Sequence, residues 1–128
     1  MNEHILDASA LLALLNQEPG CELVKKHMPR ALMSSVNFSE VLSKLIDRGI
    51  PTHKAEEVLD NLKIRIVPFD YKQALLAGVF RTQTKALGLS LGDRACLSLS
   101  ATLKLPILTA DTPWSQLSLS DVTVVQIR

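Results

Sequence analysis

The chain has 128 residues, 14 Lys and Arg against 13 Asp and Glu, and a formal charge of +1. That length suits one domain, expected over residues 1–128. So even a balance excludes a strongly basic nucleic-acid coat or an acidic tail, so any polyanion-binding role has to come from a site. Apolar residues make up 47% and aromatics only 4%, which points to a core of Leu, Val, Ile and Ala in helices packed on a sheet.

His4-Ile5-Leu6 reads as a short strand ending at Asp7, after which Leu11, Leu14 and Leu15 recur at helical spacing. The apolar run from Ile5 to Leu15 carries Asp7 and falls well short of the about 20 residues a membrane span needs. The segment before it has no basic flank of the secretory kind, so a cytoplasmic protein without a membrane partner is expected. Cys21 and Cys96 both fall in helical segments and read as buried thiols of a reducing compartment rather than a disulfide.

Pro19-Gly20 breaks the first helix, a second runs from Cys21 through Lys25-Lys26, and Pro29 ends it before a strand over Ala31 to Val36. Asn37 is the expected cap of the next helix, which carries Val41, Leu42, Leu45 and Ile46 and ends at Gly49. A helix from Pro51-Thr52 to about Lys63 and a strand over Ile64 to Phe69 follow. Asp70 caps a longer helix with Tyr71, Ala74, Leu75 and Gly78 on one stripe, closed by Gly88. Ser90 opens a helix through Leu103, Pro106 to Ala110 is a buried strand ending at Asp111, and Val122 to Ile127 supplies the last strand. Strands alternating with helices predict an α/β fold, a three-layer α/β/α sandwich around a mostly parallel sheet.

In such sheets ligands bind beyond the carboxyl ends of the strands. Asp7, Glu40, Asp93 and Asp111 all follow strands or open helices at that edge. Each taken singly also reads as a cap or dipole-matching acid, since Asn37-x-x-Glu40 and Ser90-x-x-Asp93 have capping-box spacing. Jointly they make better sense as ligands, because a hard cation such as Mg2+ or Mn2+ takes anionic oxygens from several segments, and clustered carboxylates repel unless an ion neutralises them. The other nine acids read as solvated helix charges, turns or caps, and the three histidines lack metal-ligand spacing. Trp114, after Pro113, reads as a core anchor of its turn before a base-stacking platform.

Four segments carry a resemblance: Ile5-Leu6-Asp7-Ala8-Ser9-Ala10, Val36-Asn37-Phe38-Ser39-Glu40-Val41, Leu91-Gly92-Asp93-Arg94-Ala95-Cys96-Leu97, and Leu108-Thr109-Ala110-Asp111. In order and spacing the chain resembles the PIN-domain ribonucleases, and within them the VapC-type toxins of toxin–antitoxin pairs. The resemblance implies a PIN-like fold and metal-dependent hydrolysis of RNA phosphodiesters. It makes Asp7, Glu40, Asp93 and Asp111 the catalytic, Mg2+- or Mn2+-holding residues, with Ser9 and Thr109 as polar support and Asn37 and Arg94 as positioning or phosphate-contacting groups. It also implies a cognate antitoxin and, together with the apolar composition, a homodimer.

Rival readings stand beside this one. A response-regulator receiver needs adjacent acids after the first strand and a central phosphoacceptor Asp after another strand, and the sequence shows neither. A haloacid-dehalogenase-type phosphotransferase needs an acid two residues after the first Asp, where this chain has Ser9. A dinucleotide site needs a glycine in the turn after the first strand, which Asp7-Ala8-Ser9 lacks. The last is a non-catalytic PIN-like module that keeps its carboxylates but binds a partner or RNA, and metal-dependent cleavage separates it from an enzyme.

Overall fold

In a computed structural model, described over residues 2–128, five short strands form one sheet: β1 (His4–Leu6), β2 (Ala31–Ser34), β3 (Arg65–Val67), β4 (Ile107–Thr109) and β5 (Val124–Gln126). Their order is β3-β2-β1-β4-β5 and every pairing is parallel, so the mostly parallel sheet expected from the alternation is wholly parallel. Strands that short are held by both faces being covered.

Side-chain alternation along the strands separates two cores. Leu6, Met33 and Leu108 point to one face, where they meet α1 (Ala8–Leu15), α2 (Cys21–His27), α3 (Ser35–Asp47) and α4 (Thr52–Asn61) through Leu11, Val24, Val41, Leu45 and Leu59. Ile5, Leu32 and Ile107 point to the other, packed by Phe80, Cys96, Leu97, Leu99 and Trp114 from α5 (Tyr71–Val79), α7 (Leu91–Leu103) and the turns beside them. The expected α/β/α layering is therefore present, and Trp114, 1% exposed, serves the core.

Several boundaries differ from expectation for local reasons. The second strand stops at Ser34, because the Ser34 Oγ accepts from Val36 N at 3.2 Å and caps α3 three residues earlier than Asn37 would. Asn37 therefore lies inside the first turn, buried, and Glu40 lies in the second. The helix after Asp70 is not continuous to Gly88: α5 ends at Val79 and is followed by α6 (Arg81–Thr84) and a 3-10 turn over Lys85–Leu87. Asp70 does cap α5, its Oδ1 accepting from Gln73 N at 2.9 Å. The stripe Tyr71, Ala74, Leu75 and Gly78 faces outward, and Gln73, Ala77 and Phe80 face the core instead. The first helix ends at Leu15, before Pro19-Gly20, which instead precedes α2, with Gly20 left-handed and so close to the carbonyl of Ile127 that a Cβ would sit 2.5 Å from its oxygen.

The chain runs outward from β1 to β2 and β3, then returns to the other side of β1 with β4 and β5. The order thus reverses between β1 and β4, and the crevice beyond their carboxyl ends is where a parallel sheet offers a binding site.

Candidate active site

Asp7 and Asp111 follow β1 and β4, the two strands that flank this reversal. A cavity of about 170 Å3 lies there, lined by Asp7, Ala8, Ser9, Leu12, Glu40, Lys44, Asp93 and Asp111. All four acids singled out from the sequence thus border one cavity. A groove of about 650 Å3 along α3, lined by Ser35, Val36, Ser39, Ser43 and Asp47, shares Glu40 and Lys44 with it.

Asp7 is the most tightly determined of the four. Its Oδ1 accepts from Ala10 N at 2.8 Å, capping α1, and from the Ser9 hydroxyl at 2.7 Å; its Oδ2 accepts from the Thr109 hydroxyl at 2.5 Å. Both hydroxyls are oriented in turn by the backbone after β4, Ala110 N donating to Ser9 Oγ at 2.9 Å and Asp111 N to Thr109 Oγ1 at 3.0 Å. Burial pushes the Asp7 carboxyl up to about 7, against the opposing pull of those three donors and with a further push from Asp111. Asp111 is raised as well, first by burial and then by Asp93, while Arg128 and Lys44 draw it down.

The helix-borne acids are held differently. Glu40, half-buried on α3, accepts from Asn37 Nδ2 at 2.8 Å. The same amide group donates to the carbonyl of Gly92 at 3.0 Å and ties α3 to the start of α7. Asp93 completes a capping box with Ser90: its Oδ2 accepts from Ser90 N at 2.9 Å and its own N–H donates to Ser90 Oγ at 3.2 Å. The capping geometry read from Ser90-x-x-Asp93 is therefore present at a residue that also borders the cavity.

Arg94 does not line the cavity; its guanidinium donates to the carbonyl of Ala77 at 3.0 Å and ties α7 to α5. His4 and His27 stack on each other with ring centroids 4.0 Å apart, away from the carboxylates. Cys96 is buried and its thiol is held well above the usual range, by burial first and then by Asp7, Asp93 and Glu40; Cys21 is half-buried and free. Lys44, one turn after Glu40 on the same helix face, also borders the cavity; no motif marks it in the sequence, and its signal there is only the i, i+4 relation to Glu40.

As placed, the carboxylates of Asp7, Glu40 and Asp93 engage their own neighbours, and among the described residues no three Asp, Glu, His or Cys groups converge closely enough to grip an ion. The donor set nevertheless suits a hard divalent cation: four anionic oxygen donors from four chain segments, with no soft ligand competing. Asp7 is raised by an environment that an ion would reverse, and Asn37 Oδ1 is buried without a hydrogen-bond partner. The residues fit such an ion.

An all-parallel α/β sandwich with acids gathered across its switch point defines the class. The sequence matches the family described as PIN domain over residues 4–118, and the chain belongs to the PIN-domain family. Among solved structures it is similar to a chain of the DNA-bound VapBC from Salmonella typhimurium, with 13% identity, a TM-score of 0.76 and 100% of both chains covered. It is also similar to VapBC2 from Rickettsia felis bound to a promoter DNA fragment, at 14% identity, TM-score 0.75, and 96% of this chain and 97% of that one. A toxin–antitoxin complex from Klebsiella pneumoniae matches at 15% identity and TM-score 0.73 over 94% and 96% of the two chains. At such identities the likeness establishes the fold. No curated protein sequence matches the chain.

Proposed function

We propose that residues 1–128 work as a single-domain Mg2+- or Mn2+-dependent ribonuclease, the toxin of a toxin–antitoxin pair. The observation that carries this reading is the cavity bordered by Asp7, Glu40, Asp93 and Asp111 across the β1/β4 reversal. Those four carboxylates would hold the ion, and Ser9, Thr109 and Asn37 would fix where they point. A bound divalent ion would supply the Lewis acidity and charge neutralisation that phosphodiester hydrolysis needs. No side-chain nucleophile is required of the protein. The groove along α3, with the hydroxyls of Ser35, Ser39 and Ser43 and the ammonium of Lys44, offers an RNA strand neutral donors and one cation beside the acids. Lys44 offsets part of the carboxylate field that a phosphate would otherwise meet.

Purified protein should cleave RNA with Mn2+ or Mg2+ and stop in excess EDTA; cleavage that survives EDTA rules the reading out. The toxin role draws on the fold shared with the VapBC and toxin–antitoxin chains. Its test is growth arrest on expression, relieved by co-expressing a small protein encoded beside it; unimpaired growth without that protein overturns it. A cytoplasmic site of action goes with this role, and among the described residues no helix is long and apolar enough to cross a membrane.

A homodimer is part of the proposal, and the outward stripe on α5 supports it. Tyr71 is 79% exposed, Leu75 54% and Val79 65%, and Leu91 at the start of α7 is 56% exposed, a set of large apolar groups that water disfavours. Leu75→Glu should convert a dimer to a monomer in light scattering; a wild-type monomer at high micromolar concentration removes this part.

The second reading, a non-catalytic PIN-like module that binds a partner or RNA, draws on the engagement of the Asp7, Glu40 and Asp93 carboxylates by their own neighbours. RNA cleavage by wild type but not by Asp7→Asn excludes it.

A further inference from the structure

Gly92 is the second residue of α7 and is buried. Its backbone φ is outside the left-handed region, so nothing in the main chain calls for glycine, and a helix interior favours alanine over it. What excludes a side chain is a neighbour: a Cβ built here would lie 2.5 Å from Glu40 Oε1 and 2.6 Å from both Glu40 Cδ and Oε2. The Glu40 carboxylate occupies the volume a side chain would take. Its other constraint, the Asn37 amide, is bonded to the carbonyl of that same Gly92.

We infer that Gly92 is a positioning residue for the metal site: the missing side chain is the seat that lets the Glu40 carboxylate reach the cavity against the start of α7. This rests on the proposed metal role of Glu40. A methyl group at Gly92 would leave the backbone in place, because the displaced atoms are the free end of a flexible side chain. The carboxylate, however, would be pushed off its seat and away from the alignment that Asn37 gives it. A residue kept for structure alone would show the reverse pattern, lost stability with unaltered metal binding.

The test reads metal affinity and stability apart from activity. Gly92→Ala should lower Mn2+ affinity in calorimetry by at least about tenfold, as displaced supporting groups do, with the metal-free melting temperature unchanged or raised. Glu40→Asp, one methylene shorter, should weaken Mn2+ binding in the wild-type background but partly restore it in the Gly92→Ala background, because the shorter side chain clears the methyl. Wild-type Mn2+ affinity in Gly92→Ala, a loss of affinity that merely follows a lowered melting temperature, or the same Glu40→Asp effect in both backgrounds overturns the inference while leaving the metal site standing. A wild-type protein that binds no Mn2+ overturns the metal-site reading itself, and this inference with it.

Discussion

The two halves of the acidic cavity are built on opposite plans. On the strand side, Asp7 is 2% exposed and accepts three hydrogen bonds, two of them from hydroxyls that β4 orients. On the helix side, Glu40 and Asp93 are half-buried, and each carboxylate accepts a single bond from its own helix or cap. The buried half is held from α1 and β4 and electrostatically strained, and the helical half is more exposed and held by fewer bonds. Burial makes ionisation of Asp7 costly, whereas the helix-borne carboxylates stay nearer to water.

Asp7→Asn breaks the strand half most directly. Cleavage should fall by at least about a hundredfold, since a neutral amide cannot supply the charge that a divalent ion needs. Stability should move the opposite way: metal-free Asp7→Asn should be more stable than wild type at pH 8 by about 2 kcal/mol. That is about half the linkage value, because the amide nitrogen cannot accept from one of the two hydroxyls. Denaturant titration in EDTA measures the sign, and a destabilised variant would mean that Asp7 carries little strain.

Proton linkage sharpens the same contrast. The folded carboxyl of Asp7 is raised from 3.8 to about 7, so between those values the native state holds a proton that the unfolded chain has released. Metal-free stability should therefore fall as pH rises from 4 to 7, by up to about 4 kcal/mol from this group, and level off above 7. Mn2+ affinity should rise by up to about tenfold per pH unit over the upper part of that range and flatten above it, because the ion displaces the proton. Calorimetry in buffers of different ionisation enthalpy would register the released proton, and a pH-independent affinity would contradict the raised Asp7.

Thr109→Val removes the shortest bond to Asp7 and leaves Asp111 N without its hydroxyl acceptor. A loss of about 1 to 3 kcal/mol is expected. The pH midpoint of Mn2+ binding should move upward, because the lost donor is the largest of the groups holding the Asp7 pKa down. An unshifted midpoint would detach Thr109 from the ion-binding carboxylate.

The smallest effect belongs to the helix half. Asp93→Asn keeps an oxygen for Ser90 N, forfeits a charge that the helix dipole favours, and relieves repulsion at Asp111. These nearly cancel, so metal-free stability should change by less than about 0.5 kcal/mol, while the stabilisation given by added Mn2+ should shrink. Melts with EDTA and with Mn2+ decide this; an unaltered Mn2+ response would reduce Asp93 to its capping role.

The strand half was also the more legible half. Asp7 and Asp111 each end an apolar strand, and strand ends in a parallel sheet converge whatever the packing. Ser9 and Thr109 were readable through the same motifs. The helical side depended on phase: the tandem Ser34-Ser35 moved the cap off Asn37 and turned that residue inward, toward Glu40 and Gly92. Periodicity found the stripe from Tyr71 to Gly78 but not its direction, because the core-facing side of α5 and its cap, Gln73, Ala77 and Phe80, includes a polar residue while Leu75 and Tyr71 are left outside. Lys44 and Gly92 matter only through a neighbouring carboxylate, and a contact between helices leaves no periodic trace in the sequence.

The hydroxyl that fixes Asp7 comes from Thr109, 102 positions along the chain. Until β4 has been synthesised and has docked beside β1, Asp7 has neither its oriented donors nor its partner acid. Closing so long a loop is among the late events of folding. A nascent chain that has not yet reached β4 thus carries Asp7, Glu40 and Asp93 but not Asp111, and the cavity that the four acids border is assembled only once that strand is in place.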